Sequence, residues 1–301
     1  MRDNASHPPT FVFTGIYSIL LAALFLANWI YFPATVQGGA TEFMALSIAV
    51  YLLAHFLRGV RLAVLSVALL GLRFRTGLAV HFLAAPWSLV LPLKLDETIR
   101  WGALTRLSGS PFRSVAVLLL DRSADAVVLL LLGVLALSAG WNVTIAVVVA
   151  IFIAVVIIAF TFGIAPSLVK TLQRYILLHR SGPQIVGILR IVDRLRRALD
   201  FGAHKANETF PFLVVSSILI WAMEIAAIWL MLTTSTSEAN SFAEAIVALF
   251  SGIVAPSVSM DKIDGSTRLL PLLLLLLLAP GVCAMVRLAP MLTGRQRDDR
   301  R

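Results

Sequence analysis

Apolar tracts separated by short polar breaks run along most of the chain. They predict membrane-crossing helices at about 11–32, 42–57, 114–138, 141–164, 211–233 and 268–290. FVFTGIYSILLAALFLANWIYF (11–32) and WNVTIAVVVAIFIAVVIIAFTFGI (141–164) carry no charge over the roughly 20 residues that a helix needs to cross the hydrocarbon core. Two further apolar stretches are shorter and interrupted: GLAVHFLAAPWSLVLPL (77–93) by Pro86 and Pro92, and IVALFSGIVAPSVSM (246–260) by Gly252 and Pro256. Such broken stretches are predicted to be re-entrant hairpins.

The charge bias of the loops supports that topology. With the N-terminus cytoplasmic, the loop 33–41 is outside and has no Lys or Arg, whereas the next break, with Arg58, Arg61, Arg73 and Arg75, is inside. If 77–93 crossed fully, Lys94, Arg100, Arg106 and Arg113 would be exported; a hairpin returns them to the cytoplasm. Spans 114–138 and 141–164, joined by the tight SAGWN turn, then place the basic segment 165–210 inside. A second hairpin at 246–260, entering from outside, leaves the C-terminal RQRDDRR cytoplasmic as well. The expected fold is therefore an all-α polytopic membrane bundle, with six full spans and two opposed hairpins in the outline of an inverted-topology repeat. It is read as a single domain over 1–301, whose halves are linked by the basic, amphipathic segment 165–210. Within that segment, Ile188, Ile191, Val192, Leu195 and Leu199 recur at helical spacing, with Arg190, Arg194 and Arg197 on another face. Two readings fit: a helix lying on anionic headgroups, and a connecting helix packed on the bundle.

Composition sharpens the class. The chain is 59% hydrophobic and 14% charged, and its mean hydropathy of +0.92 lies beyond ordinary soluble domains. The opening MRDNASHPPT lacks a basic n-region, so 11–32 is expected to be a retained helix rather than a removed signal. Cys283 is the only cysteine, which excludes an intrachain disulfide and a Cys-based metal site. The net charge of +9 resides in short loops where membrane orientation accounts for it, and nucleic acid is not an expected partner.

Charges inside apolar runs carry the candidate chemistry. Arg122 lies about 13 Å along a helix from Arg113, near the middle of a core roughly 30 Å thick. Asp121 and Asp125 are at i and i+4 around it, and Glu224 is a second deep acid with no basic neighbour in sequence. An ionised side chain at that depth costs about 2.5 to 3.5 kcal/mol and needs partners. Glu224 is expected to meet Arg122 or Arg100, or to stay protonated. Asp121, Arg122 and Asp125 form either a satisfied network that fixes helix packing or the lining of a polar cavity for a charged headgroup.

The segment FLAAPWSLVLPLKLDETIRWGALTRLSGSPFRSVAVLLLDRSADAVVLLLL resembles the transmembrane domain of the lysylphosphatidylglycerol synthase and flippase-like family. Pro92, Glu97 and Arg100 match its first group, and Asp121, Arg122 and Asp125 its second, where Asp121 stands for the more usual Glu. Leu93 and Asp96 replace the family's turn glycines, and the second half keeps only Pro256, Asp261 and Gly265 of a Pro-Gly-Gly turn and its Glu. The resemblance implies a prokaryotic cytoplasmic-membrane protein that moves or presents an anionic phospholipid or a polyprenyl-phosphate-linked sugar. The chain ends at Arg301, and the soluble synthase domain of that family is not expected here.

Three functions compete for these features. In a translocase, Glu97 and Arg100 form the cytoplasmic mouth, and Arg122 attracts a phosphate while Asp121 and Asp125 hold it in place. A membrane enzyme is disfavoured: His7, His55, His81, His179 and His204 are scattered, no metal-ligand spacing is present, and neither cofactor nor catalytic residue is expected. The alternative to transport is a non-transporting partner of a glycosyltransferase or lipid-modifying enzyme, docking through the basic face of 165–210.

Overall fold

A computed structural model describes residues 41–90, 96–179, 183–235, 242–254 and 280–288. The expected span 11–32, most of 268–290, and the last residues of both expected hairpins, 91–93 and 255–260, lie outside the described residues, as do Pro92, Leu93, Pro256, Asp261 and Gly265. Apart from the short connections at 71–73, 109–110, 139–144 and 164, the described residues are helical, and no strand occurs among them.

Eight helices follow in order: α1 (Thr41–Leu70), α2 (Phe74–Val90), α3 (Asp96–Ser108), α4 (Pro111–Ser138), α5 (Ile145–Gly163), α6 (Ala165–His179), α7 (Pro183–Ser235) and α8 (Phe242–Val254). Residues 280–288 form a further helical piece. Among the described residues, Ala45–Leu70, Ile145–Gly163 and Glu208–Leu230 are long and apolar enough to cross a membrane. Helix α4, at 28 residues, has the length but carries Asp121, Arg122 and Asp125 in its middle.

Local chemistry sets the breaks. Helices α1 and α3 each end at a glycine in the left-handed region, Gly71 (φ 66) and Gly109 (φ 70), where a side chain would be strained. The Gly109 N–H closes the last turn of α3 on the Thr105 carbonyl at 2.8 Å. Ser110 follows in an extended conformation and Pro111 opens α4, a position where its missing N–H has no helical partner to lose.

Three expectations change. The span expected to stop at Leu57 continues to Leu70, because the guanidinium groups of Arg58 and Arg61 find carboxylates inside the bundle and need no aqueous loop. Pro86 was expected to interrupt its segment, yet α2 runs through it from Phe74 to Val90; a proline removes a single N–H, and a packed neighbourhood tolerates that loss. The amphipathic stretch 186–201 and the span 211–233 belong to one helix of 53 residues, again with a proline, Pro211, inside it.

Helix α7 packs along α1 and α4 and forms the spine of the bundle, while α2 and α3 lean on α1 and α4. Helices α1 and α2 approach closely at Gly77, where a Cβ would lie 2.7 Å from the Ala63 Cα. Small residues allow this kind of contact between membrane helices, for which burial against lipid supplies little drive. Two apolar clusters result. The first joins Leu62, Leu65, Val80, Leu104, Val117, Leu120 and Leu213; the second joins Val128, Val147, Trp221, Ile246 and Phe250. Asp121 and Asp125 lie where α4 passes from the first cluster, which reaches Ala124, to the second, which starts at Val128.

Candidate functional site

The centre of the polar layer is Arg61, which is 0% exposed. Its Nε donates to Asp121 Oδ1 at 2.7 Å, and its Nη1 and Nη2 donate to the two oxygens of Asp125 at 2.7 and 2.8 Å. The second contact is a two-pronged guanidinium–carboxylate pair, the strong geometry for this type of interaction. Residues of α7 close the ring. Ser217 Oγ accepts from Arg61 Nη1 and donates to Asp125 Oδ1 at 3.1 Å, and Trp221 Nε1 donates to the same oxygen at 3.2 Å. This unit joins α1, α4 and α7 and is shut off from solvent.

Beside it lies a more open unit. Glu97 Oε1 accepts from Arg100 Nη1 at 3.0 Å and also pairs with Arg122 Nη2. Arg100 is held a second time by Asp96 at 3.0 Å. Arg122 also reaches back to Asp125 at 3.4 Å and Asp121 at 3.6 Å, which links the two units. The side chains of Arg122 and Glu97 are 28% and 23% exposed, whereas Asp96 and Arg100 are buried. Arg122 and Glu97 are thus the accessible members of the network.

A third pair lies along α1 and α7. Arg58 Nη1 pairs with Glu224 Oε1, and the guanidinium sits 5.2 Å from the Trp221 ring centroid, at cation–π range. Next to Arg58 is a buried imidazole pair, His55 and His81, with ring centroids 5.9 Å apart. Among the described residues, neither ring nitrogen of His55 nor Nε2 of His81 has a hydrogen-bond partner.

All six expected site residues therefore fall in one polar layer, but their pairing differs from the expectation. Glu224 takes Arg58, not Arg122 or Arg100. The principal partner of Asp121 and Asp125 is Arg61, not Arg122. Arg100, expected at a watery mouth, is almost fully covered because Asp96 and Glu97 on its own helix neutralise it. Sequence reading missed Arg58 and Arg61 by assigning them to a loop, and missed Ser217 and Trp221 altogether. A signal was present: His55, Arg58 and Arg61, and Ser217, Trp221 and Glu224, recur at three- and four-residue spacing, so that each set marks a polar face on a membrane helix. The scattered histidines His55 and His81 meet in space.

Four guanidinium groups face five carboxylates in this layer, and each of them is paired. Among the described residues, no group of His, Cys, Asp and Glu has the arrangement to hold a metal ion. What the layer can do is exchange partners. Glu97 already occupies a cleft between two guanidinium groups, and an incoming phosphate would compete for that place.

A family model, the lysylphosphatidylglycerol synthase TM region, matches residues 12–261. No curated protein and no solved structure matches the chain.

Proposed function

We propose that this chain, which belongs to the lysylphosphatidylglycerol synthase transmembrane-region family, is a translocase for the anionic headgroup of a phospholipid or a lipid-linked sugar. Its place is the cytoplasmic membrane of a prokaryote, with both termini on the cytoplasmic side. The observation that carries the reading is the shared oxygen of Glu97, clamped between Arg100 and Arg122 at the accessible edge of an otherwise closed charge layer. Glu97 acts as a resident anion. A headgroup phosphate displaces it from Arg122, and the released carboxylate stays neutralised by Arg100. The Arg61–Asp121–Asp125 unit does not bind the lipid; it holds α1, α4 and α7 in register while the edge exchanges partners. The chain carries out no chemistry on the lipid in this reading.

A headgroup-accessibility assay in proteoliposomes tests it. Arg122→Ala should abolish flipping, while Arg106→Ala, an exposed residue on the same side of the sequence motif, should leave it intact. Unchanged flipping by Arg122→Ala would remove the site from the mechanism.

One observation favours a second reading, a non-transporting partner of a glycosyltransferase or lipid-modifying enzyme: every guanidinium in the layer is already paired, as a purely structural network would require. Co-purification of a stoichiometric enzyme, with no flipping by the chain alone, would support it.

A further inference from the structure

Two buried imidazoles take no part in the exchange at Glu97. His55 on α1 and His81 on α2 are 4% and 1% exposed, with ring centroids 5.9 Å apart. Packing holds them. The Tyr51 ring lies 4.7 Å from His55 and the Phe82 ring 5.5 Å from His81, centroid to centroid. His81 rests on α1 where Gly59 has no side chain, and a Cβ there would lie 3.1 Å from its Cδ2. Among the described residues, both nitrogens of His55 and Nε2 of His81 lack a hydrogen-bond partner. An unpaired polar atom away from water lowers stability, and an apolar side chain in its place would not. The pair therefore points to a ligand, and among rings packed this closely the ligand that needs no cavity is a proton.

The surrounding charges set when that proton binds. The fields of Arg58 on α1 and Arg100 on α3 reach both rings, and that of Arg122 on α4 reaches His81. Behind these cations stand their acids: Glu224 of α7 on Arg58, Asp96 and Glu97 on Arg100, and Glu97 on Arg122. On the helices of the rings themselves, Tyr51 is in contact with His55, and Arg75 of α2 is exposed. In the resting layer an added proton on either ring thus faces three guanidinium groups.

An arriving headgroup changes this balance. Four guanidinium groups already face five carboxylates, and a phosphate on Arg122 adds a second surplus negative charge where the dielectric is low. It also offsets a guanidinium whose field reaches His81. A proton on the imidazole pair cancels the added charge. The protonated ring donates from both nitrogens, and the neutral ring beside it supplies an acceptor, so one N–H···N bond would tie α1 to α2.

We propose that His55 and His81 form a proton-binding site that loads together with the lipid: when a phosphodiester headgroup displaces Glu97 from Arg122, the imidazole pair takes up one proton from solution. The inference rests on the headgroup reading of the Glu97–Arg122 edge and gives that site a second ligand. Linkage makes the effect reciprocal, and a proton on the pair strengthens headgroup binding by the same factor.

Titration calorimetry on the purified full chain tests this, with short-chain phosphatidylglycerol as the probe, because its phosphodiester keeps the same charge across neutral pH. Affinity should rise as pH falls, by up to about tenfold per pH unit for one proton taken up per lipid bound. Heats measured in buffers of different ionisation enthalpy should count that proton directly. In the His55→Gln, His81→Gln chain the pH dependence and the proton uptake should both vanish. His204→Gln, at an exposed position on α7, should keep both. If the double variant does not fold, His81→Gln alone, which removes the ring that the field of Arg122 reaches, should abolish uptake. Lipid binding by the wild-type chain without proton uptake would overturn the proposal. So would uptake that persists without the imidazoles, which would put the proton on a carboxylate such as Glu97, and so would a chain that binds no phosphatidylglycerol. Calorimetry reads binding and not movement: absent flipping with intact proton uptake would remove the translocase reading alone, and flipping with proton-free binding would remove this one alone.

Discussion

At the scale of the residue, the network is asymmetric in what its members tolerate. Arg61 is sealed among two aspartates and Ser217, so Arg61→Met leaves two uncompensated carboxylates and should destabilise the protein by about 3 to 5 kcal/mol, read as a loss of thermal stability in detergent. Arg61→Lys should restore little of it, because an ammonium cannot span both oxygens of Asp125. Glu97→Gln works in the opposite direction: the resident anion is gone, Arg122 is freed, and retention of an anionic lipid by the purified chain should rise while flipping falls. Asp121, Asp125 and Glu224 were legible in the sequence because an acid in an apolar run stands out. Arg61 was not, because an arginine at the edge of such a run reads equally well as the start of a loop, and only its carboxylate partners, 60 and 64 residues away, decide the matter.

Among the elements, close helix contact is the sensitive feature. Gly77→Ala places a methyl group 2.7 Å from the Ala63 Cα on α1, and separating the two backbones should lower stability by about 1 to 3 kcal/mol. Gly102→Ala is the control. A Cβ there meets nothing within 4 Å, and the substitution should be neutral or should stabilise α3 by up to about 1 kcal/mol; paired thermal melts of the two variants separate packing from propensity. The helical character of these segments was plain from hydropathy, but their ends were not. Charge was read as a stop signal at Arg58 and proline as a break at Pro86, while the amphipathic stretch ending at 201 was read apart from the span beginning at 211. In a packed bundle the first is neutralised and the second accommodated, so α1 and α7 run further than composition alone predicts.

For the whole molecule, the hairpin that α6 forms with the first half of α7, outside the spans, is where pH acts on exposed groups. Asp193 is held below its ordinary value of 3.8, first by its hydrogen bond to Arg196, with partial desolvation working against it and the charges of Arg197 and Arg196 adding to it. A carboxylate with a depressed value contributes order above about pH 4 and loses that contribution as pH falls through the folded value. Protection of the amides in α6 and the first half of α7, taken relative to the intrinsic exchange rate at each pH, should therefore be steady from pH 8 to 5 and fall below about 4, and Asp193→Asn should remove the step. The membrane class and family were legible from the chain because hydropathy and a short motif suffice for both. The arrangement of the polar layer was not, since it depends on which of several helices turns a polar face toward which other.

Helix α7 also has a mechanical consequence. Its 53 residues follow about 80 Å of helix, with Arg190, Arg194 and Arg197 near one end and Ser217, Trp221 and Glu224 further along. A helix resists twisting along its own axis. With side chains some 5 to 6 Å from its axis, a twist of about 10° applied at the hairpin displaces Ser217 by about 1 Å, enough to stretch its 3.1 Å bond to Asp125 past hydrogen-bonding range. Torque on the outer end is thus delivered to the Arg61 clamp, and Pro211, where the ladder of backbone hydrogen bonds lacks a donor, sets how much of it arrives.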